Sequence, residues 1–152
     1  MKLYRLSKEK YKDDLSGKGA ERYGGRWNTK GMRMVYTSDS RALAKLEVAV
    51  HVSLNRLPRN YYMVTINIPD RLISTYESSM LKGKNWKNNP PIKFTQSEGD
   101  GFLRNKEGLA LRVPSAVVQG DYNILINPEH PDIKKTSVLQ VEKFDFDIRL
   151  FK

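Results

Sequence analysis

No cysteine occurs among the 152 residues, which removes disulfides, thiolate metal centres and a cysteine nucleophile together. Histidine is nearly as scarce, with only His51 and His130 available as imidazole bases. No stretch is apolar for long enough to span a membrane, and the start, Met1-Lys2-Leu3-Tyr4-Arg5-Leu6, lacks the apolar centre of a secretory signal. A cytoplasmic protein without membrane association is therefore expected. Acidic residues are also in deficit, 17 against 27 lysines and arginines, for a net charge of +10. The basic residues are scattered, clustering only at 8–12, 82–87 and 134–135, with no helix-turn-helix, zinc-finger or aromatic-basic RNA motif. The charge suits an anionic small substrate or an acidic protein partner better than direct contact with nucleic acid.

Hydrophobic residues make up 39% and charged residues 29%, an ordinary balance for a globular chain of one domain over 1–152. Short strands are expected at 3–6, 32–37, 61–68, 72–76, 109–113, 122–126 and 138–146. The run from 61 to 68 is rich in β-branched and aromatic residues and is stopped by Pro69. Helices are expected at 39–54, behind capping residues, and at 95–105; the stretches 7–31 and 82–91 read as loops. Strands outnumber helices without a βαβ rhythm, which defines an α+β fold.

Three places carry residues that a plain core or surface does not call for. In Tyr23-Gly24-Gly25-Arg26-Trp27-Asn28 a glycine pair lets the backbone approach a ligand, and the arginine fork suits phosphate or carboxylate. Trp27 and Tyr36 offer flat surfaces for a ring. In the helix at 39–54, Leu43, Leu46, Val50 and Leu54 form one apolar stripe, and Glu47 falls on its edge, where a carboxylate needs a partner or a cleft. Arg41 and Lys45 point elsewhere on the helical wheel. Ser115 joins Leu109, Leu111, Val113 and Val117 on one face of the strand that follows residue 108. With no Gly-x-Ser-x-Gly around it, Ser115 is not a hydrolase nucleophile of the usual kind. His130, within Asn127-Pro128-Glu129-His130-Pro131-Asp132, reads as structural or interfacial, and no metal site is expected.

These blocks, taken in order with Tyr4-Arg5-Leu6, Gly19-Ala20, Val35-Tyr36-Thr37, Leu43-Ala44-Lys45-Leu46-Glu47, Val113-Pro114-Ser115-Ala116-Val117 and Phe144-Asp145-Phe146-Asp147-Ile148-Arg149-Leu150, give the chain its family likeness. It resembles the RES-domain toxins of bacterial toxin–antitoxin modules. One departure is Phe102, where the family pattern calls for tryptophan after Gly99-Asp100. The resemblance implies a relative of the ADP-ribosyltransferase fold, with mixed and antiparallel sheets flanking an NAD+ cleft. It also implies cleavage of the nicotinamide–ribose bond and growth arrest, with NAD+ as substrate and no further cofactor. The family's arginine, tyrosine, glutamate and serine fall on Arg26, Tyr36, Glu47 and Ser115, with Trp27 and Asn28 as further NAD+ contacts. An Xre-type antitoxin is the implied partner, a homodimer within a larger toxin–antitoxin complex is compatible with it, and nucleic acid is reached only through the antitoxin.

In that reading Glu47 stabilises an oxocarbenium-like ribose. Arg26 holds the pyrophosphate, Tyr36 packs on the nicotinamide or its ribose, and Ser115 orients Glu47 or the carboxamide. Water, phosphate or a protein side chain each complete the same first half-reaction, so glycohydrolase, phosphorylase and protein ADP-ribosyltransferase all stay open. An RNA-binding or ribonuclease toxin and a non-catalytic binding module are the readings from other classes.

Overall fold

Seven strands form one hydrogen-bonded sheet in a computed structural model that describes residues 1–53 and 56–151. In chain order the elements are β1 (Lys2–Lys8), α1 (Lys18–Tyr23), β2 (Val35–Ser38), α2 (Arg41–Ala49), β3 (Tyr61–Asn67) and β4 (Ile73–Thr75). They are followed by α3 (Lys93–Asn105), β5 (Ala110–Pro114), β6 (Tyr122–Ile126) and β7 (Ser137–Phe144), with short 3-10 turns between. The strand order is β4-β5-β6-β2-β1-β3-β7. The β4–β5 pair is parallel and the others are antiparallel. The α+β class expected from the sequence holds.

Instead of several sheets flanking a cleft there is a single sheet with a weak seam. β1 pairs with β3 from Lys2↔Asn67 to Lys8↔Tyr61, and β2 pairs with β6 along its whole length. Between β1 and β2 the register holds only at Tyr4↔Ser38. The sheet therefore opens beside that pair, and the cleft described below lies there.

Both faces of the central strands are buried. Ile124 and Ile126 pack with Leu3, Val64, Ile66 and Ala110, while Leu125, between them, packs with Trp27, Met34, Leu111 and Val113. Period two thus places apolar residues in two cores at once, so 109–111 is buried on both faces, with the half-buried Arg112 following. α2 covers a third cluster, with Ala44 against Leu6, Met63 and Phe146. Phe102, the departure from the family pattern, packs on the edge of the second core.

Several boundaries differ from the sequence reading for physical reasons. The stretch 7–31 contains α1, set between Gly17 and Gly24 at φ 75° and 71°. Glycines that look like loop punctuation act here as helix ends. Residues 32–34 precede β2 rather than belong to it. α2 starts as its capping residues predict, with the Ser40 side chain accepting from the Leu43 amide, but it stops at Ala49. His51 and Val52 then bond three residues back, to Val48 and Ala49, which ends the helical period. Val50 is accordingly 56% exposed and leaves the apolar stripe; Leu54 lies outside the described residues. β5 ends at Pro114, so Ser115 and Val117 stand beyond it in a turn. No helix among the described residues is long and apolar enough to cross a membrane.

Candidate active site

The glycine-arginine segment is a tight turn held from every side. The Gly25 amide donates to the Asn28 carbonyl at 3.0 Å. Asn28 is buried completely; its Nδ2 donates to the carbonyls of Ala20, Thr29 and Met32. The Tyr36 hydroxyl donates to Asn28 Oδ1 at 2.6 Å and accepts from the Trp27 amide at 3.0 Å. From α3, Gln96 Nε2 donates to the Gly25 carbonyl, and Asp100 accepts from the Thr29 amide and hydroxyl. A Cβ at Gly25 would meet the Tyr36 hydroxyl at 2.6 Å. The glycine is needed for packing against a side chain of this protein, not only for access by a ligand.

Arg26 projects from this turn into the cleft. Its Nη1 donates to the carbonyls of Trp86 and Asn88, at 2.6 and 3.0 Å, which ties the 82–91 loop to the turn. Among the described residues Nε and Nη2 make no hydrogen bond, so part of the fork is available to an anion. Burial pulls the guanidinium below its ordinary value, and the nearby Glu47 carboxylate and Tyr36 raise it in part. It stays charged throughout the physiological range.

Glu47 faces the turn from α2. Its Oε1 accepts from Ser115 Oγ at 2.9 Å and from Asn123 Nδ2 at 2.6 Å. Ser115 is buried, and its oxygen also accepts from the amides of Val117 and Val118 at 3.0 Å each. The hydroxyl's donor and both acceptor sites are thereby used, and it can position Glu47 but has no capacity left for attack. Asn123 is fixed in turn by Ser38 Oγ, which donates to its Oδ1 at 2.7 Å. One carboxylate oxygen is thus anchored twice, and among the described residues Oε2 makes no hydrogen bond.

Two connected depressions surround this carboxylate. One, of about 260 Å³, lies along the seam and is lined by Tyr4, Arg5, Tyr36, Ser38, Glu47 and Asn123. The other, of about 780 Å³, is lined by Gly25, Arg26, Tyr36, Glu47, Lys87 and Val117 among others. Its size falls within the range of small-molecule sites. Tyr36, Glu47 and His51 border both. The two form one cleft with an anchored carboxylate in its wall and a guanidinium at its mouth.

Arg26, Tyr36 and Glu47 therefore converge, and Ser115 supports Glu47 from behind. Trp27 and Asn28 do not join them. The Trp27 ring is 2% exposed, packs in the second core and meets Tyr76 edge-on at 5.1 Å. Asn28 spends its amide on the turn itself. Both were expected at the ligand, and both instead build the scaffold, because the turn points Arg26 outward and its neighbours inward. His130 is structural, as expected: Nδ1 accepts from the Asp132 amide, so Nε2 carries the proton toward the Lys106 carbonyl at 3.0 Å. Arg41, turned away from the cleft, pairs with Glu142.

The sequence reading missed Asn123, Arg5 and the cleft position of His51. Asn123 had a signal: an amide at the start of the otherwise apolar Tyr122–Ile126. His51 lies just beyond the end of α2, four residues after Glu47, and borders the same cleft. Arg5 gave no signal, since its partner is a carbonyl, that of Asp14 at 2.6 Å.

Comparison with known proteins gives this α+β fold its family. The RES domain matches residues 2–148, and this chain belongs to the RES domain family. A relative from Sphingobium sp. (strain YBL2), named Prs ADP-ribosylating toxin, is 39% identical over 142 residues, covering 92% of this chain and 88% of the relative. A protein named Toxin Res from Photorhabdus laumondii subsp. laumondii is 36% identical over 155 residues, covering 100% and 98%. In fold, the chain is similar to a chain in the crystal structure of the M. tuberculosis MbcT–MbcA toxin–antitoxin complex. The TM-score is 0.68 at 22% identity, over 99% of this chain and 86% of that one.

Proposed function

We propose that this chain is the toxin of a toxin–antitoxin module and that it breaks the nicotinamide–ribose bond of NAD+ in the cytoplasm, with water or phosphate as acceptor. The observation that carries the reading is Glu47, with Oε1 held by Ser115 and Asn123 and Oε2 left for a ligand, in the wall of a cleft shared with Arg26 and Tyr36. Membership of the RES domain family and relatives named as toxins support the biological role.

The chemistry asks little of a general acid. Nicotinamide leaves as a neutral molecule, taking the electron pair of the C1′–N bond, and the ribose becomes oxocarbenium-like. A fixed carboxylate beside C1′ and the 2′-hydroxyl stabilises that charge without reorganising during the step. Water then adds at C1′ and loses a proton to give ADP-ribose; phosphate adds in the same way to give a phosphorylated ADP-ribose. Arg26 binds the pyrophosphate through its unoccupied N–H groups, and the exposed side of the Tyr36 ring packs on the substrate. NAD+ is substrate here, and no further cofactor enters the scheme.

A second reading is transfer of ADP-ribose to a protein, which the name of the Sphingobium relative favours. Purified chain incubated with NAD+, with or without inorganic phosphate and in the presence of RNA, separates these. Release of nicotinamide with ADP-ribose or its phosphate is the expected result. RNA shortening with NAD+ intact would replace the reading with a nuclease. In cells, expression alone should arrest growth with a fall in NAD+, and co-expression of an antitoxin, expected to be of the Xre type, should restore both.

A further inference from the structure

Beyond Glu47, at the end of α2, the cleft meets a trough of different chemistry. It has a volume of about 900 Å³ and is lined by Lys8, His51, Arg56, Arg59 and Tyr61, with Val52, Leu57 and Pro58 between them. An adjoining pocket of about 440 Å³ shares Lys8 and Arg59 and adds Lys10 and Glu9. His51 borders the trough and both parts of the cleft. The topology gathers these residues at one corner of the sheet. Lys8 ends β1 opposite Tyr61, the first residue of β3, and the Glu9 amide donates to the Asn60 carbonyl at 2.8 Å.

Lys8, Lys10, Arg56 and Arg59 are all exposed. Among the described residues none of the four has a carboxylate within ion-pair distance, whereas Arg41 and Arg149 each have one and Arg33 has two. Glu9 is the acidic residue of the lining. Like charges gathered without counter-charge repel one another and favour an anionic visitor.

We propose that this trough is the docking site for an acidic polypeptide segment of a partner protein, which then lies beside the mouth of the Glu47 cleft with His51 as the common wall. Three features select a peptide. Val52, Leu57 and Pro58 line the same trough as the cations, which matches a segment carrying both carboxylates and apolar side chains. The arginine forks suit paired carboxylate oxygens. Among the described residues the trough's lining holds one aromatic residue, the half-buried Tyr61, whereas single-stranded nucleic acid stacks successive bases on a series of rings. A rim in which cations outnumber the one carboxylate, Glu9, also speeds encounter with an acidic partner.

The test uses a short fluorescein-labelled peptide alternating glutamate and leucine, with binding followed by anisotropy. The full chain should bind it, and added salt should weaken binding. The Arg56→Glu/Arg59→Glu double variant should bind about tenfold or more weakly. A Lys2→Glu/Lys134→Glu variant, with the same change in net charge, should bind as the wild type does. Nicotinamide release from NAD+ should be the same in all three, which separates this proposal from the enzymatic reading. If charge reversal prevents folding, Arg56→Gln/Arg59→Gln takes its place with a smaller loss expected. Equal weakening in both charge variants, or no binding by wild type, would overturn the proposal. A DNA oligonucleotide of matched charge that binds more tightly and is lost in the trough variant would assign the site to nucleic acid instead.

Discussion

Gly99 of α3 rests against the main chain of Trp27. A Cβ at Gly99 would stand 1.6 Å from the Trp27 carbonyl oxygen and 2.6 Å from its carbonyl carbon, while a Cβ at Gly101 would have nothing within 4 Å. The helix therefore crosses the 24–29 turn at a distance that only glycine allows. This closeness lets Gln96 and Asp100 of the same helix hold the turn that presents Arg26.

Two neighbouring substitutions should consequently differ in sign. Gly99→Ala must push backbone from backbone and should cost about 3 kcal/mol or more, the upper end for overpacking. Gly101→Ala should gain about 0.5–1 kcal/mol from helix propensity and a less free unfolded chain. Thermal melts of the two variants check this, and a similar shift in both would refute the close approach.

Tyr36→Phe should be more damaging than a ring-only role predicts. It leaves the Trp27 amide and the buried Asn28 Oδ1 without partners, at about 1–3 kcal/mol for each buried group. Burial also pushes the Tyr36 hydroxyl well above its ordinary value. A raised folded-state value means that this stabilisation is complete below the unfolded value, about pH 10, and fades as pH rises beyond it. Tyr76, raised by burial and by donating to Glu98, acts in the same direction. Denaturant midpoints of the wild type should therefore fall on the alkaline side of about pH 10, and Tyr36→Phe should flatten that limb. A variant as stable as wild type, with an unchanged alkaline limb, would contradict the assignment.

Glu47→Gln should keep the fold and lower nicotinamide release by about 10²–10³, the usual loss for an electrostatic contact made in the transition state. Asn123→Ala and Ser115→Ala remove the anchors and leave the charge. Each should reduce kcat by about tenfold to a hundredfold through misplacement, with KM moving less. A double variant of both anchors should approach Glu47→Gln. If the anchor variants turn over NAD+ at the wild-type rate, Oε1 does not need fixing and the positioning argument is wrong.

Arg26→Lys should bind NAD+ poorly and should also loosen the 82–91 loop, since a single ammonium cannot serve two carbonyls and an anion with the geometry of the fork. Hydrogen exchange across 82–91 together with KM for NAD+ reads both effects. A raised KM with unchanged exchange would leave Arg26 as a ligand contact without a structural role.

The sequence made the chemistry-bearing residues easier to see than their neighbours' roles. Glu47 and Ser115 stood out because each breaks an apolar pattern, and the structure places them in contact. Trp27 and Asn28 were misread because a residue type alone does not say which side of a turn it faces; that is decided by Asp100, Gln96 and Tyr36, distant in sequence. The strand at 61–68 was legible from its β-branched and aromatic composition. The helix Lys18–Tyr23 was not, since its bounding glycines also mark loops. The seam between β1 and β2 leaves no local trace, because it is a pairing that stops rather than one that forms.

Glu47 belongs to the first third of the chain, and its two anchors to the last. During synthesis the carboxylate emerges long before Ser115, and Asn123 comes later still, after all of α3 and β5. The arrangement that holds Oε1 cannot exist on a nascent chain until β6 has left the ribosome and inserted between β5 and β2. A truncated or stalled product would carry the glutamate without the geometry, so premature termination anywhere before residue 123 should yield a harmless fragment.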